Sequence, residues 1–312
     1  MTAVAILQPT GLLGKELRET IEARHPDWDL RLLSSREDEI GTLTEIAGAA
    51  SLVGRYEPER LQEVNAAFFC GAIADNRPLL AELPATTTAV VLSFDATVED
   101  GLPVVAGVNG DDAWGHRTLL SPHPAAVLLA HLLHALRGLA PAEAVATLIQ
   151  PASMRDDAGL EELFESTRQI IGMTRRSPTP VFGSQLSFNL LPAPLPADPI
   201  AKQLQRLVGG PLAALQILQG AIFHSLSASL YVRCADHPSP QAARKALAEH
   251  PYLEAFDRPR HLGPIDAAAS DKILFGSVRK DETAQGLWLW AVMDNLTRGG
   301  ALNAIEIAEA VV

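Results

Sequence analysis

Ala3-Val4-Ala5-Ile6-Leu7-Gln8-Pro9-Thr10-Gly11-Leu12-Leu13-Gly14 stands at the head of this chain. The first five residues form an apolar run of strand length. Gln8 to Gly14 reads as a turn, and Lys15 to Ala23 continues as an amphipathic helix carrying Leu17 and Ile21. A strand that passes through a glycine turn into a helix makes a seat for anions. Free backbone N–H groups and the helix dipole both point at a phosphate there. A glycine at position 8 would complete a G-x-x-G-x-x-G spacing, but the residue is Gln8. A glutamine at that tight turn crowds a diphosphate, and Pro9 removes one donor. Thr10, Gly11, Leu12, Leu13 and Gly14 are the candidate phosphate-binding residues. A plain strand-to-helix turn fits the same residues.

Working outward, Leu30–Leu33, Ala66–Cys70 and Ala89–Ser93 read as further buried strands. Strands alternating with helices predict a parallel, doubly wound sheet in an α/β chain. Ser34-Ser35-Arg36 follows the second strand, where an adenine ribose would lie. Ser34 and Arg36 are cofactor candidates, because an arginine there favours a 2′-phosphate, hence NADP over NAD. Glu37 and Asp38 partly cancel that attraction. Pro124–Leu139 is a strongly apolar helix, Ala144–Gln150 a strand and Gly159–Ile171 a helix. Thr179–Asp198 is proline-rich and reads as a loop. Pro211–Cys234 is long and apolar with no clean period. Residues 235–262 read as surface insertions, Leu287–Met293 as a strand, and Asp294 as the start of a final helix.

The 312 residues suffice for two domains. Hydrophobic residues make up 47% and charged residues 20%, as in globular proteins that bury sizeable cores. The formal net charge of −12 argues against nucleic acid or an anionic membrane surface as a partner. No uninterrupted apolar run of about 18 residues is present. The start lacks a basic segment, so a cytoplasmic protein is expected. Cys70 and Cys234, the only cysteines, both lie in apolar surroundings, which favours neither a disulfide scaffold nor a metal site. His131 and His134 stand at i, i+3 on an apolar helix, with no carboxylate or cysteine beside them. They read as packing or interface residues, and no metal is expected.

The segment Trp288-Leu289-Trp290-Ala291-Val292-Met293-Asp294-Asn295-Leu296-Thr297-Arg298-Gly299-Gly300-Ala301-Leu302-Asn303-Ala304-Ile305-Glu306-Ile307-Ala308-Glu309 resembles the D-N-L-x-K-G-A-A-x-N-A-x-x-I-A-E stretch of the aspartate-β-semialdehyde dehydrogenase family. Thr10–Gly14, Ser34–Arg36, Phe68–Gly71, Val104-Val105 with Val108-Asn109, Phe188–Pro192 and Phe223-His224-Ser225 extend the resemblance over nearly the whole chain. It implies a Rossmann-like NAD(P)-binding domain at residues 1–122 and an α+β catalytic and dimerisation domain at residues 123–292. Residues 293–312 would form a helix that packs back on the first domain. It further implies a homodimer, NADP as cofactor and a role in amino-acid biosynthesis. The family's reaction is reductive dephosphorylation of an acyl phosphate through a cysteine thioester.

Carried over residue by residue, the resemblance divides. The nucleophile's position is Pro124, which has no thiol and cannot attack an aldehyde. Ile217 and Ala96 replace two substrate arginines. Several positions match functional residues of the family: Gln150, His224 as acid/base, and Asn295 beside the nicotinamide. Lys202 matches its anion-binding lysine. The leading expectation is a paralogue without the thiol-dependent reaction that binds NADP weakly. A second is an oxidoreductase of altered specificity, using NADP(H) without a covalent thioester. A third is a dimeric scaffold or regulatory partner of an active paralogue.

Overall fold

The structure, a computed structural model, describes residues 2–312 except 47, 174–177, 194–196, 211 and 284. Two units are distinguished: Met1–Pro124 with Gly299–Val312, and Ala125–Arg298.

In the first unit, β1 (Ala3–Leu7) leads through the glycine turn into α1 (Leu12–Arg24) and β2 (Asp29–Ser34). A hairpin of β3 (Leu43–Ile46) and β4 (Ala49–Leu52) follows, then β5 (Gly54–Arg55), β6 (Ala66–Phe69), α2 (Ile73–Ala81), β7 (Thr88–Val91), β8 (Leu102–Pro103) and β9 (Thr118–Leu120). Seven strands form one sheet in the order β5-β2-β1-β6-β7-β9-β8, and every pairing in it is parallel. All residues of β1 and β6 are buried. Burial on both faces is why these strands read as continuous apolar runs. The sequence reading does not include the hairpin or α2. In α2 the buried positions are Ile73, Asn76 and Leu79, so a polar side chain interrupts the apolar stripe.

The second unit starts within α3 (Pro124–Leu136), whose residues Ala125–Leu133 are all buried. It continues through β10 (Pro141–Gln150), α4 (Asp156–Ile171), β11 (Leu190–Pro192), α5 (Ala197–Val208), β12 (Leu212–Gly220), β13 (Leu226–Cys234), α6 (Pro240–Ala248), β14 (Leu253–Ala255), β15 (Ile273–Lys280) and β16 (Leu287–Met293). These strands make a mixed sheet, β11-β12-β10-β13-β16-β15-β14. The apolar stretch without a period is thus two strands, β12 and β13, joined by a turn. Residues 235–262 are more than insertions, since they hold α6 and the edge strand β14. Ser239 caps α6 by accepting from Ala242 N at 3.2 Å.

The last helix begins later than expected. Asp294 Oδ1 accepts from Leu296 N at 2.8 Å and from Thr297 N at 3.0 Å, as an N-cap does. A π-helical stretch, Thr297–Leu302, separates it from α7 (Asn303–Glu309). Within the first unit, Asn303 fastens α7 to the strand ends. It donates to Val104 O at 3.1 Å and Ser121 Oγ at 2.9 Å, and accepts from Ala106 N at 3.1 Å. Among the described residues no helix is long and apolar enough to cross a membrane.

Candidate functional site

The glycine turn has a firm geometry. A Cβ on Gly14 would lie 2.5 Å from the Pro9 carbonyl oxygen, so only glycine lets the helix start this close to the turn. Gly11 is the N-cap of α1 and has no side-chain cap; no acid lies in the first turn. Those features suit an anion. Thr10 Oγ1 donates to Glu39 Oε1 at 2.7 Å. Gln8 fills the first-glycine position and is almost fully buried.

Arg36 is engaged by neighbouring acids. Its guanidinium donates to Asp38 Oδ2 at 2.9 Å and lies 3.5 Å from Glu39 Oε1. The hydrogen bond with Asp38 raises the arginine above its ordinary pKa and holds Asp38 below the usual carboxylate range. The Arg36 backbone N–H donates to the buried Ser34 Oγ at 3.0 Å. A 2′-phosphate arriving here would compete with two carboxylates for one cation.

Pro124 is the first residue of α3. Proline suits a first helical turn, since its missing N–H would have no intrahelical partner and its φ is already helical. His123 is buried, with its ring 5.9 Å from that of Phe94. Ala96 is 2% exposed and packs in an apolar cluster with Ile73, Val91 and Leu120.

In the second unit, Gln150 ends β10 and Gln219 lies beside it in β12. Gln219 Nε2 donates to Gln150 O at 3.1 Å and Gly220 O at 3.3 Å, so Gln219 Oε1 is left to accept from Gln150 Nε2 at 3.0 Å. Both glutamines are buried. Asn295, fully buried, bridges two segments of this unit. Its Oδ1 accepts from Ser225 N at 3.0 Å, and its Nδ2 donates to Ser153 Oγ at 3.1 Å. His224 lies half-buried in the turn between β12 and β13, one residue before Ser225, whose φ is +75°. The turn is anchored where Ser153 N donates to Phe223 O at 3.0 Å. Gln150, Asn295 and the His224 turn therefore share one end of the mixed sheet. Ile217 is a buried residue of β12, and Lys202 is exposed on α5. Neither Gln219 nor Ser153 was legible as a partner, because their pairing exists only across strands and turns far apart in the chain.

His131 is fully buried on α3, its ring 5.1 Å from His250 and 4.9 Å from Tyr252. Burial lowers all three histidine pKa values: His131 well below 6.5, His134 below it, and His250 to about 4. Among the described residues no group of three or more His, Cys, Asp or Glu is arranged to hold a metal ion. Cys70 and Cys234 are buried and neither is in a disulfide, and burial pushes the Cys234 thiol up.

A fully parallel sheet entered through a glycine turn and followed by a mixed sheet is the fold shared with solved semialdehyde dehydrogenase structures. No protein-family model matches the chain. It is similar to the aspartate-semialdehyde dehydrogenase of Bacillus subtilis, 25% identical over 335 residues, covering 98% of this chain and 96% of that one. It is also similar to a USG-1 protein homolog of Azotobacter vinelandii, 28% identical, covering 99% of this chain and 97% of that one. The structure of a probable aspartate-semialdehyde dehydrogenase from Pseudomonas aeruginosa superposes with a TM-score of 0.87 at 25% identity, covering 99% and 97%. The Candida albicans aspartate-semialdehyde dehydrogenase solved with NADP shares the fold, with a TM-score of 0.79 at 15% identity, covering 99% and 98%. The chain is a homologue of the aspartate-semialdehyde dehydrogenases, with USG-1 homologues among its relatives.

Proposed function

We propose that this chain is a homologue of aspartate-semialdehyde dehydrogenase that has left the thiol-dependent reaction and binds NADP weakly. The observation that carries the reading is Pro124 at the head of α3. The family's reaction needs a thiolate there to attack the carbonyl carbon and hold the acyl group. A pyrrolidine ring has no lone pair or proton to offer for either step. The anion seats point the same way. Ala96, in an apolar cluster, and Ile217 are both buried, and an acyl phosphate or carboxylate placed there would lose its hydration without a compensating cation. His224 keeps a place from which to move a proton, and Gln150 an amide held by Gln219.

The glycine turn fits a dinucleotide in part. The tight Pro9–Gly14 approach and the uncapped first turn of α1 favour it, while Gln8 and the Arg36–Asp38 pair oppose it. Thr10–Gly14 would hold the diphosphate, Ser34 and Arg36 the adenine ribose, and Asn295 would face the nicotinamide. When bound, NADP supplies a hydride acceptor. A homodimer is part of the same reading. Val145, Thr147, Tyr231, Trp288 and Trp290 are half-buried on one side of the mixed sheet, while Ala146, Leu148, Leu230 and Leu289 between them are buried. Light scattering on the purified chain tests that expectation, and a monomer at micromolar concentration would exclude it.

The deciding experiment is an assay of NADP- and phosphate-dependent oxidation of aspartate semialdehyde. The chain is purified from a host lacking the genuine enzyme. No turnover above the uncatalysed rate is expected, and sustained turnover would refute the reading.

A further inference from the structure

Gln8 stands where the backbone favours glycine. Its φ is +55°, in the left-handed region that side chains avoid. Yet its side chain is tied in on several sides. Nε2 donates to Ser35 Oγ at 3.2 Å and to Asn76 Oδ1 at 3.5 Å. Asn76 Nδ2 donates in turn to Cys70 O at 2.7 Å and Ser93 Oγ at 2.9 Å. A Cβ on Gly71, which follows β6 with φ +76°, would lie 3.3 Å from Gln8 Cγ. The glutamine stem therefore rests against the backbone of the neighbouring strand end.

These contacts span the carboxyl ends of β2, β1, β6 and β7, which are adjacent in the sheet. The chain leaves β1 for β2 on one side, and β6 returns to pair on the other. That is the topological switch point, and in doubly wound sheets a ligand's diphosphate lies in the crevice there, against the helix N-terminus. Gln8 Oε1 is buried without a hydrogen-bond partner. A phosphate oxygen brought to the same place would meet another acceptor rather than a donor.

We propose that Gln8 sets the dinucleotide affinity of the first unit: its carboxamide fills the diphosphate seat, as a neutral group supplied by the chain itself. This rests on the dinucleotide reading given above. A dinucleotide must displace the amide, break its bonds to Ser35 and Asn76, and leave them unmatched. Its affinity falls accordingly.

The test is titration of the full-length chain with NADPH, followed by nucleotide fluorescence, with a thermal melt of each variant. Gln8→Gly is expected to bind NADPH at least tenfold more tightly and to melt cooperatively, because glycine is at ease at this φ. Gln8→Ala also removes the amide but keeps the strained side chain. It is expected to tighten NADPH binding while melting below Gln8→Gly. Binding in both variants equal to or weaker than in the unaltered chain would overturn the role of Gln8 alone. If neither variant nor the unaltered chain binds NADPH at millimolar concentration, the dinucleotide reading fails with it.

Discussion

The turn at Gln8–Gly14 and the helix start at His123–Ala125 occupy the two places where the resemblance puts cofactor and nucleophile, and each departs from it in its side chains. The turn keeps its shape and changes its contents. Gly14 still lets α1 approach Pro9, while Gln8 brings an amide into the space. The helix start keeps its place and carries proline where the resemblance puts the nucleophile. Pro124 suits the first helical position well and offers nothing to an aldehyde. In both places the backbone geometry persists while the side chains that the chemistry would use differ.

The largest effect expected from pressing on this contrast is at Gly14. Gly14→Ala drives a methyl group into the Pro9 carbonyl, so a loss of about 3 kcal/mol is expected in denaturant unfolding. A small change would mean the turn is looser than the distances imply. Near the other place, Asn303→Ala leaves Ala106 N–H, Ser121 Oγ and Val104 O without their partner. A loss of about 2 kcal/mol follows, measured the same way.

Next comes acid. His131, His134 and His250 stay neutral in the folded chain below the pH at which they charge when unfolded. The charged groups that act on these rings, Arg298 and Arg137 with the histidines themselves, all carry or acquire positive charge. The unfolded state therefore binds more protons below about pH 6.5, and stability falls as pH drops from there toward 4. A buried histidine contributes about 1 kcal/mol per pH unit in that window. His250→Gln should flatten the melting temperature against pH; an unchanged slope would move the effect elsewhere. The smallest structural effect is at Pro124. Pro124→Cys should alter stability by about 1 kcal/mol or less and still show no aspartate semialdehyde turnover, because Ile217 and Ala96 remain. Turnover restored by the thiol alone would show that the anion seats are dispensable.

Much of the first unit was legible. Ala3–Leu7, Ala66–Phe69 and Ala89–Val91 are short apolar runs because they are covered on both faces of the sheet. The second unit was harder. β12 and β13 merge into one apolar stretch, since strands of this length with one half-buried face and small residues between them carry no strong period. In the candidate site, His224 and Gln150 could be singled out only by the resemblance of their segments to the family. Their surroundings could not: Gln219 lies 69 positions from Gln150, and Asn295 lies 142 from Ser153.

By itself the sequence determined the α/β class, the glycine turn and the absence of a thiol at position 124, because each depends on residue types at short spacing. Only the tertiary structure decided that the Gln8 and Asn76 amides together link four strand ends, that Arg36 is held by its own acids, and that Asn295 braces Ser153 and Ser225. Those facts arise where distant segments meet, and hydrogen bonds between them leave no periodic trace along the chain.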